Sequence, residues 1–322
     1  MTHVTASAPG GIGNLGPGLD VIGCAVAGAR DEVTAEWTDT SGVTLQNPGH
    51  PDLPADPARH TSALAATAML NAARQKGVQL PARGLALSVR KGLPLSAGQG
   101  GSAASAVAGA VATNKLLGDP LDATTLLACC LIAEEAVSGR HLDNIAASFY
   151  GGIVLVRSLD PIEVVRLPVP VGMRIILAQP SQRLSTADAR RVLPAAVSRD
   201  TAIHQMAQVG AIVAACYEGD LGLLGRAIDD RLSEPARAPL LAGFAAAKRG
   251  AMEAGAFGAS ISGAGPTVFA LVGVDPEVAV RVSDAMRAAY EACGMHCTVR
   301  VSEIDRDGAV IVEKRAGPTS DQ

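Results

Sequence analysis

The chain has 322 residues, a length that suits two domains, and 48% of them are apolar but only 2% aromatic. A formal net charge of −4 and the lack of any Lys/Arg-rich run exclude the basic face of a nucleic-acid-binding protein. The opening MTHVTASAPGG has no basic or apolar region of a signal peptide, and the uncharged stretches 92–114 and 254–274 carry Pro and several Gly, which excludes membrane spans.

VTASA (4–8) alternates and predicts a strand that runs into a Gly-rich loop, Pro9 to Gly18. VIGCAVAGA (21–29) and VTAEW (33–37) predict two more strands. Four prolines make residues 47–60 a surface loop. A helix follows from Ser62 to Lys76, then a strand over LALSVR (85–90). KGLPLSAGQGGS is a glycine-rich loop, and AASAVAGAVATNKLL is a helix with Gly118 as its stop. A helix at 122–137 leads to the polar turn SGRHLDN, a short helical piece and a strand at 151–157. Pro161, Pro168 and Pro170 cluster at a junction that divides the chain into 1–167 and 168–322.

The second half opens with the strand MRIILAQ (173–179) and a short helix in STADARRVLP, capped by Ser185 or Thr186. Helices are predicted at 199–218, 220–230 and 237–255. SISGAGPTVFALV (260–272) is a loop running into a strand. A helix at 276–293 and strands over CTVRVSEI and GAVIVEK complete the chain. Of the six cysteines, Cys293 and Cys297 lie near His296, but no second cluster completes a zinc site, and reduced thiols of a cytoplasmic protein are expected.

The strongest motif is LPLSAGQGGSAASAVAGA (93–110). Glycine lets backbone N–H groups turn toward a ligand, and the helix that follows adds free donors and the positive end of its dipole, which together suit a phosphate. The plainer reading is a glycine turn with Ser102 as N-cap. No Lys-Ser/Thr pair makes it a Walker loop. Gly98, Gly100 and Ala103 match a dinucleotide fingerprint, but KGLPLSA separates them from the preceding strand, which argues against NAD. In APGGIGNLGPGLD (8–20) a rigid loop presents Asn14 and Asp20, and an Asp suits an ammonium group. AEEAVSGRHLDN (133–144) offers Glu134 or Glu135 to a metal ion, with His141 and Asp143 sharing a turn. Gly263 and Gly265 form a turn that suits phosphates, and Arg190 and Arg237 suit a carboxylate. Taken singly, each has a structural explanation: a cap, a turn, a solvated charge.

Taken in order, residues 8–20, 94–104 and 260–267 resemble the three motifs of the GHMP kinases, whose phosphate loop reads P-x-x-x-G-x-G-S-S-A. Within that family NLGPGLD, HLDN, STADARRVLP and the run through SEPARAPLLAGF are most similar to the homoserine kinases. The resemblance implies a two-domain α+β fold with its site in the cleft between domains, ATP and Mg²⁺ as cofactors, L-homoserine as substrate and a homodimer. It implies that Pro94, Leu95, Ser96, Ala97, Gly98, Gln99, Gly100, Gly101, Ser102 and Ala103, with Gly263 and Gly265, contact ATP, and that Ser102 and Glu134 hold the metal. Asn14, Asp20, His141, Asp143, Thr186, Arg190 and Arg237 surround the amino acid, with Asp143 and Arg190 nearest the chemistry. The chain departs from the pattern at Gly101, which stands for the first Ser, at Gln99, which stands for an apolar residue, at GGIG before Asn14, and in a turn one residue shorter before His141. The competing expectations are a kinase for threonine or another small alcohol, a non-catalytic nucleotide- or amino-acid-binding protein, and an NAD-dependent oxidoreductase.

Overall fold

The computed structural model describes residues 2–315. Its first part contains β1 (His3–Gly13), β2 (Ile22–Thr38), β3 (Val43–Asn47), α1 (Thr61–Gln75), β4 (Gly84–Arg90), α2 (Gly101–Leu116), α3 (Ala123–Val137), α4 (Asp143–Tyr150), β5 (Ile153–Leu159) and β6 (Ile162–Leu167). Next come β7 (Arg174–Pro180), α5 (Thr186–Arg191), α6 (Arg199–Glu218), α7 (Leu221–Ala227), α8 (Ser233–Arg237), α9 (Phe244–Glu253), β8 (Gly258–Ile261), β9 (Val268–Val272), α10 (Pro276–Ala292), β10 (Cys297–Glu303) and β11 (Val310–Arg315). The mixture is α+β.

Two sheets carry the helices. The larger runs β11-β1-β2-β4-β3, with β5 and β6 attached through β2; the smaller runs β10-β7-β9-β8. β2 serves two partners because it is 17 residues long: Ile22–Cys24 pair with β5, and Glu32–Thr38 pair with β4. Sequence reasoning broke this strand in two and ended β1 at Ala8. In fact the glycines continue the ladder, with Gly11, Ile12 and Gly13 opposite Ala25, Cys24 and Gly23. Glycine reads as a turn signal in isolation, but here it permits close approach. A Cβ on Gly23 would stand 2.1 Å from the carbonyl oxygen of Asp143, so the bare backbone lets the start of α4 settle onto the hairpin.

α2 is the central helix. Twelve of its residues are buried, between β1 and β2 on one side and α1, α3 and α4 on the other, which is why it is built from Ala, Val and Gly. A second apolar cluster joins the two sheets through Ile12, Ile22, Ile153, Ile175, Phe269 and Leu271, so their relative position is set by shared core. The chain end crosses back: Val26 bridges to Ile304, and β11 pairs antiparallel with β1.

Other differences from the sequence expectations have local causes. β3 lies just ahead of the expected 47–60 loop, in a stretch given no element, and β6 lies at the expected junction. The helix expected at 220–230 stops at Ala227, because buried Asp230 instead accepts the backbone N–H groups of Leu232, Ser233 and Glu234 and starts α8. The helix expected at 237–255 is split by a 3₁₀ turn at Ala238–Leu240 and by left-handed Gly243. Ser185, not Thr186, caps α5 by accepting from the Asp188 N–H.

Two glycine-to-alanine changes test this packing by urea denaturation. A Cβ on Gly109 of α2 would lie 2.9 Å from the Ser62 carbonyl oxygen, so Gly109→Ala is expected to destabilise by about 1–3 kcal/mol. Gly210 of α6 has open space there, so Gly210→Ala is expected to stabilise by roughly 0.5–1 kcal/mol.

Candidate active site

The loop from Lys91 to Gly100 leaves β4 and enters α2 in an unusual backbone conformation. Ser96, Gly98 and Gly100 all have positive φ, at 51°, 73° and 68°. A Cβ on Gly98 would lie 2.4 Å from the Ser262 carbonyl oxygen, so only glycine fits there. Gly100 is the N-cap of α2 and offers no side-chain acceptor, which leaves the first N–H groups of the helix free for a ligand. Sequence reasoning started this helix at Ala103 and gave Ser102 the plainer role of cap. Instead Ser102 lies in the first turn, and its hydroxyl donates to Glu134 Oε1 at 3.1 Å.

A cleft of about 550 Å³ opens in front of this loop, bounded by both halves of the chain. Every residue assigned to the site from the sequence lines it except Ala103, Gly265 and Glu135, the alternative to Glu134. Ala103 is turned into the core under α2, and Gly265 packs behind Gly98. Thr186 reaches the cleft from the first position of α5.

Facing the loop is a cluster of buried polar groups. Glu134, near the end of α3, is 3% exposed, and its Oε1 also accepts from Ser138. Its Oε2 is buried without a hydrogen bond. Glu135 points the other way, where Arg140 lies 3.9 Å from it. His141 sits between two carboxylates, 3.7 Å from Glu134 and 3.4 Å from Asp143. Asp143 Oδ2 accepts the Asn14 N–H at 3.2 Å. The Asn14 side chain in turn donates to Gly263 O and accepts the Asp20 N–H, both at 3.2 Å, so the N-terminal loop and the 262–266 turn brace each other.

The cationic end is formed by two arginines. Arg190 forks onto Asp20 with bonds of 2.7 and 3.1 Å. Arg237 is 3% exposed and donates only to backbone carbonyls, Gly263 O at 2.8 Å and Ala189 O at 3.1 Å. Burial, and then the neighbouring Arg190 charge, push its pKa down. Burial also works against a charged Arg190, but Asp20 outweighs it and raises that pKa.

This arrangement has relatives. The family model for the GHMP kinases N terminal domain matches residues 62–152, and that for the GHMP kinases C terminal matches 212–292. The homoserine kinase of Chlorobium phaeobacteroides (strain BS1) is 36% identical over 97% of this chain and all of its own length. The chain belongs to the GHMP kinase family. Among other GHMP kinases, the Arabidopsis thaliana homoserine kinase is also 36% identical, over 97% of this chain and 85% of its own. The crystal structure of homoserine kinase from Cytophaga hutchinsonii superposes with a TM-score of 0.89 at 36% identity, covering 97% of this chain and 98% of that one. The activity class of the family, an ATP-dependent small-molecule kinase using Mg²⁺, is that of this chain.

Sequence reasoning missed two residues that build the GHMP loop. Asp31 in β2 is fully buried and accepts the Gly92 and Leu93 N–H groups at 3.1 Å each, the Ser105 hydroxyl at 2.7 Å, and the Lys91 ammonium. Lys91 also donates to Gly101 O at 3.0 Å and faces the cleft. A Cβ on Gly101 would lie 3.3 Å from that ammonium, a contact that a small shift of the lysine end relieves, so nothing in the structure explains glycine where the family pattern has Ser. A lone Asp in a strand carries no motif, so nothing in the sequence signalled Asp31.

Burial opposes the charged form of His141, but Asp143 and then Glu134 outweigh it and raise the folded pKa above 6.5. The stabilising contribution is therefore complete below the unfolded value and is lost as pH rises through the folded one. In metal-free buffer, His141→Gln is expected to lower the urea midpoint at about pH 6 and to have a smaller effect at about pH 9. An equal loss at both would show that His141 is neutral throughout.

Proposed function

We propose that the protein is a homoserine kinase, transferring the γ-phosphate of ATP to the side-chain hydroxyl of L-homoserine to give O-phospho-L-homoserine on the route to threonine. The observation that carries the substrate class is Arg237. Among the described residues no carboxylate lies within ion-pair distance of this buried guanidinium. A buried charge without a partner costs several kcal/mol, so the site is built for an anion that arrives with the ligand. The α-carboxylate of an amino acid supplies it. Asp20, with His141 and Asp143 grouped within 4.8 Å, takes the α-ammonium. In the resting site Asp20 and Arg190 neutralise each other, and a zwitterion exchanges that pair for one ion pair at each end.

The phosphate end follows from the loop. Free N–H groups at the start of α2 face the cleft, which suits the triphosphate, while the nearby Lys91 ammonium is held by Asp31, Gly101 O and Ser105. Glu134 Oε2 is buried and unbonded beside the Ser102 hydroxyl, a hard oxygen donor set suited to Mg²⁺. Ser102 and Glu134 would hold the metal, which when bound neutralises charge on the β- and γ-phosphates. Asn14 fixes Asp143 and Asp20 through opposite ends of one residue, so the groups that orient hydroxyl and ammonium move together. Asp143 Oδ1 is buried without a hydrogen bond, and it accepts the hydroxyl proton as the oxygen attacks. A cytoplasmic location and a homodimer belong to this reading through the family resemblance.

A coupled ADP-release assay with Mg·ATP tests it against L-homoserine, L-threonine, L-serine and mevalonate. Turnover is expected with homoserine and is abolished by EDTA. Turnover only with another alcohol would keep the kinase and discard the substrate. Arg237→Met is expected to raise KM for homoserine by roughly 10–100-fold with KM for ATP unchanged. Asp143→Asn is expected to lower kcat by about 10²–10⁴-fold, and near-normal turnover would remove Asp143 from the proton transfer.

A further inference from the structure

We propose that Gln99 is a positioning residue for ATP, through which the smaller sheet holds the phosphate loop in its nucleotide-binding shape. The inference rests on reading that loop as the ATP site. Gln99 stands where the family pattern has an apolar residue, yet it is only 4% exposed. A buried amide of this kind needs partners, and each end has them. Nε2 donates to Gln179 Oε1 at 2.9 Å and to Thr267 Oγ1 at 3.2 Å, while Oε1 accepts from Arg300 Nη2 at 2.9 Å. Gln179 is in β7, Arg300 is in the neighbouring β10 and Thr267 immediately precedes β9, so one side chain ties the loop to two adjacent strands and the entry to a third.

The tie falls where it has most leverage. Gln99 lies between left-handed Gly98 and Gly100, the two residues with the greatest freedom to leave the observed conformation. Its carbonyl oxygen accepts the Gly11 N–H at 3.1 Å. The backbone of this residue is thus held by the larger sheet and its side chain by the smaller one. An apolar side chain would pack there but could not fix the rotation of the two flanking peptides. Arg300 completes the device. Its other bond goes to the Ala27 carbonyl at 3.4 Å, and burial pushes its pKa down. Without Gln99 this guanidinium loses its better acceptor. Networks of this kind behave as units, which makes the loop and the smaller sheet one mechanical element.

A network that merely stabilises the core predicts something different, and a double variant separates the two. Gln99→Met alone strands Arg300, so it is expected to lower both thermal stability and affinity for a fluorescent ADP analogue. In Gln99→Met/Arg300→Met the apolar side chains repack, and thermal stability is expected to return to within a few degrees of wild type. Analogue affinity and KM for ATP stay at least about tenfold weaker, while KM for homoserine stays within about twofold. Recovery of nucleotide affinity along with stability would overturn the proposal, as would parallel loss of affinity for both substrates. Failure of the wild-type protein to bind the analogue would sink the ATP reading itself, and this inference with it.

Discussion

A loop with Ser96, Gly98 and Gly100 all at positive φ does not keep its shape unaided, because glycine has many other conformations to visit and Ser96 is held in a region L-residues rarely adopt. Its rigidity is imposed from outside. Asp31 grips the start of the loop with four donors from below, and the Ser262 hydroxyl and Thr267 N–H bond to the carbonyls of Gly98 and Ala97 from the other sheet. A fully buried carboxylate would cost several kcal/mol by itself. Here the Lys91 ammonium and three neutral donors compensate it, and the same contacts aim the start of α2 into the cleft. Stability of the fold and competence of the site are therefore parts of one arrangement.

The cleft is polarised along its length. Contacts run from Ser102 at the open start of α2 to Glu134, His141 and Asp143, and through Asn14 to Asp20, which Arg190 holds, while Arg237 lies against Gly263. A substrate that carries both a positive and a negative group beside a hydroxyl matches this order, whereas a simple alcohol leaves Arg237 uncompensated. The bidentate Asp20–Arg190 pair keeps the resting site close to neutral. Exchanging one internal ion pair for two with the ligand avoids the larger cost of stripping water from isolated charges.

Much of this was legible in the residues themselves. α1, α2, α3, α6 and α10 were expected close to where they lie, since helical spacing, a cap and a glycine or proline stop are all local signals. The glycines of the phosphate loop, and the Asn, Asp, His and Arg side chains that share its cleft, stood out because ordered, unusual spacings survive in one dimension. The continuous β1–β2 ladder did not, because a glycine that permits close strand approach and a glycine that makes a turn look alike. The break between α8 and α9 was hidden for a related reason: Pro239 and Gly243 interrupt a run whose apolar spacing alone reads as helix.

The sequence by itself determined which functional groups a site can draw on, a glycine loop, clustered carboxylates and two arginines, and the family resemblance implied phosphate, metal and anion as their ligands. These depend on which functional groups exist and on short-range backbone preference. Only the tertiary structure decided that Glu134 rather than Glu135 faces the cleft, that Arg190 spends its charge on Asp20 while Arg237 keeps its own, and that Asp31 and Arg300 support the loop. Which way a helix face turns, and which distant charges meet, are set by how two sheets share a core. No window of neighbouring residues contains that information.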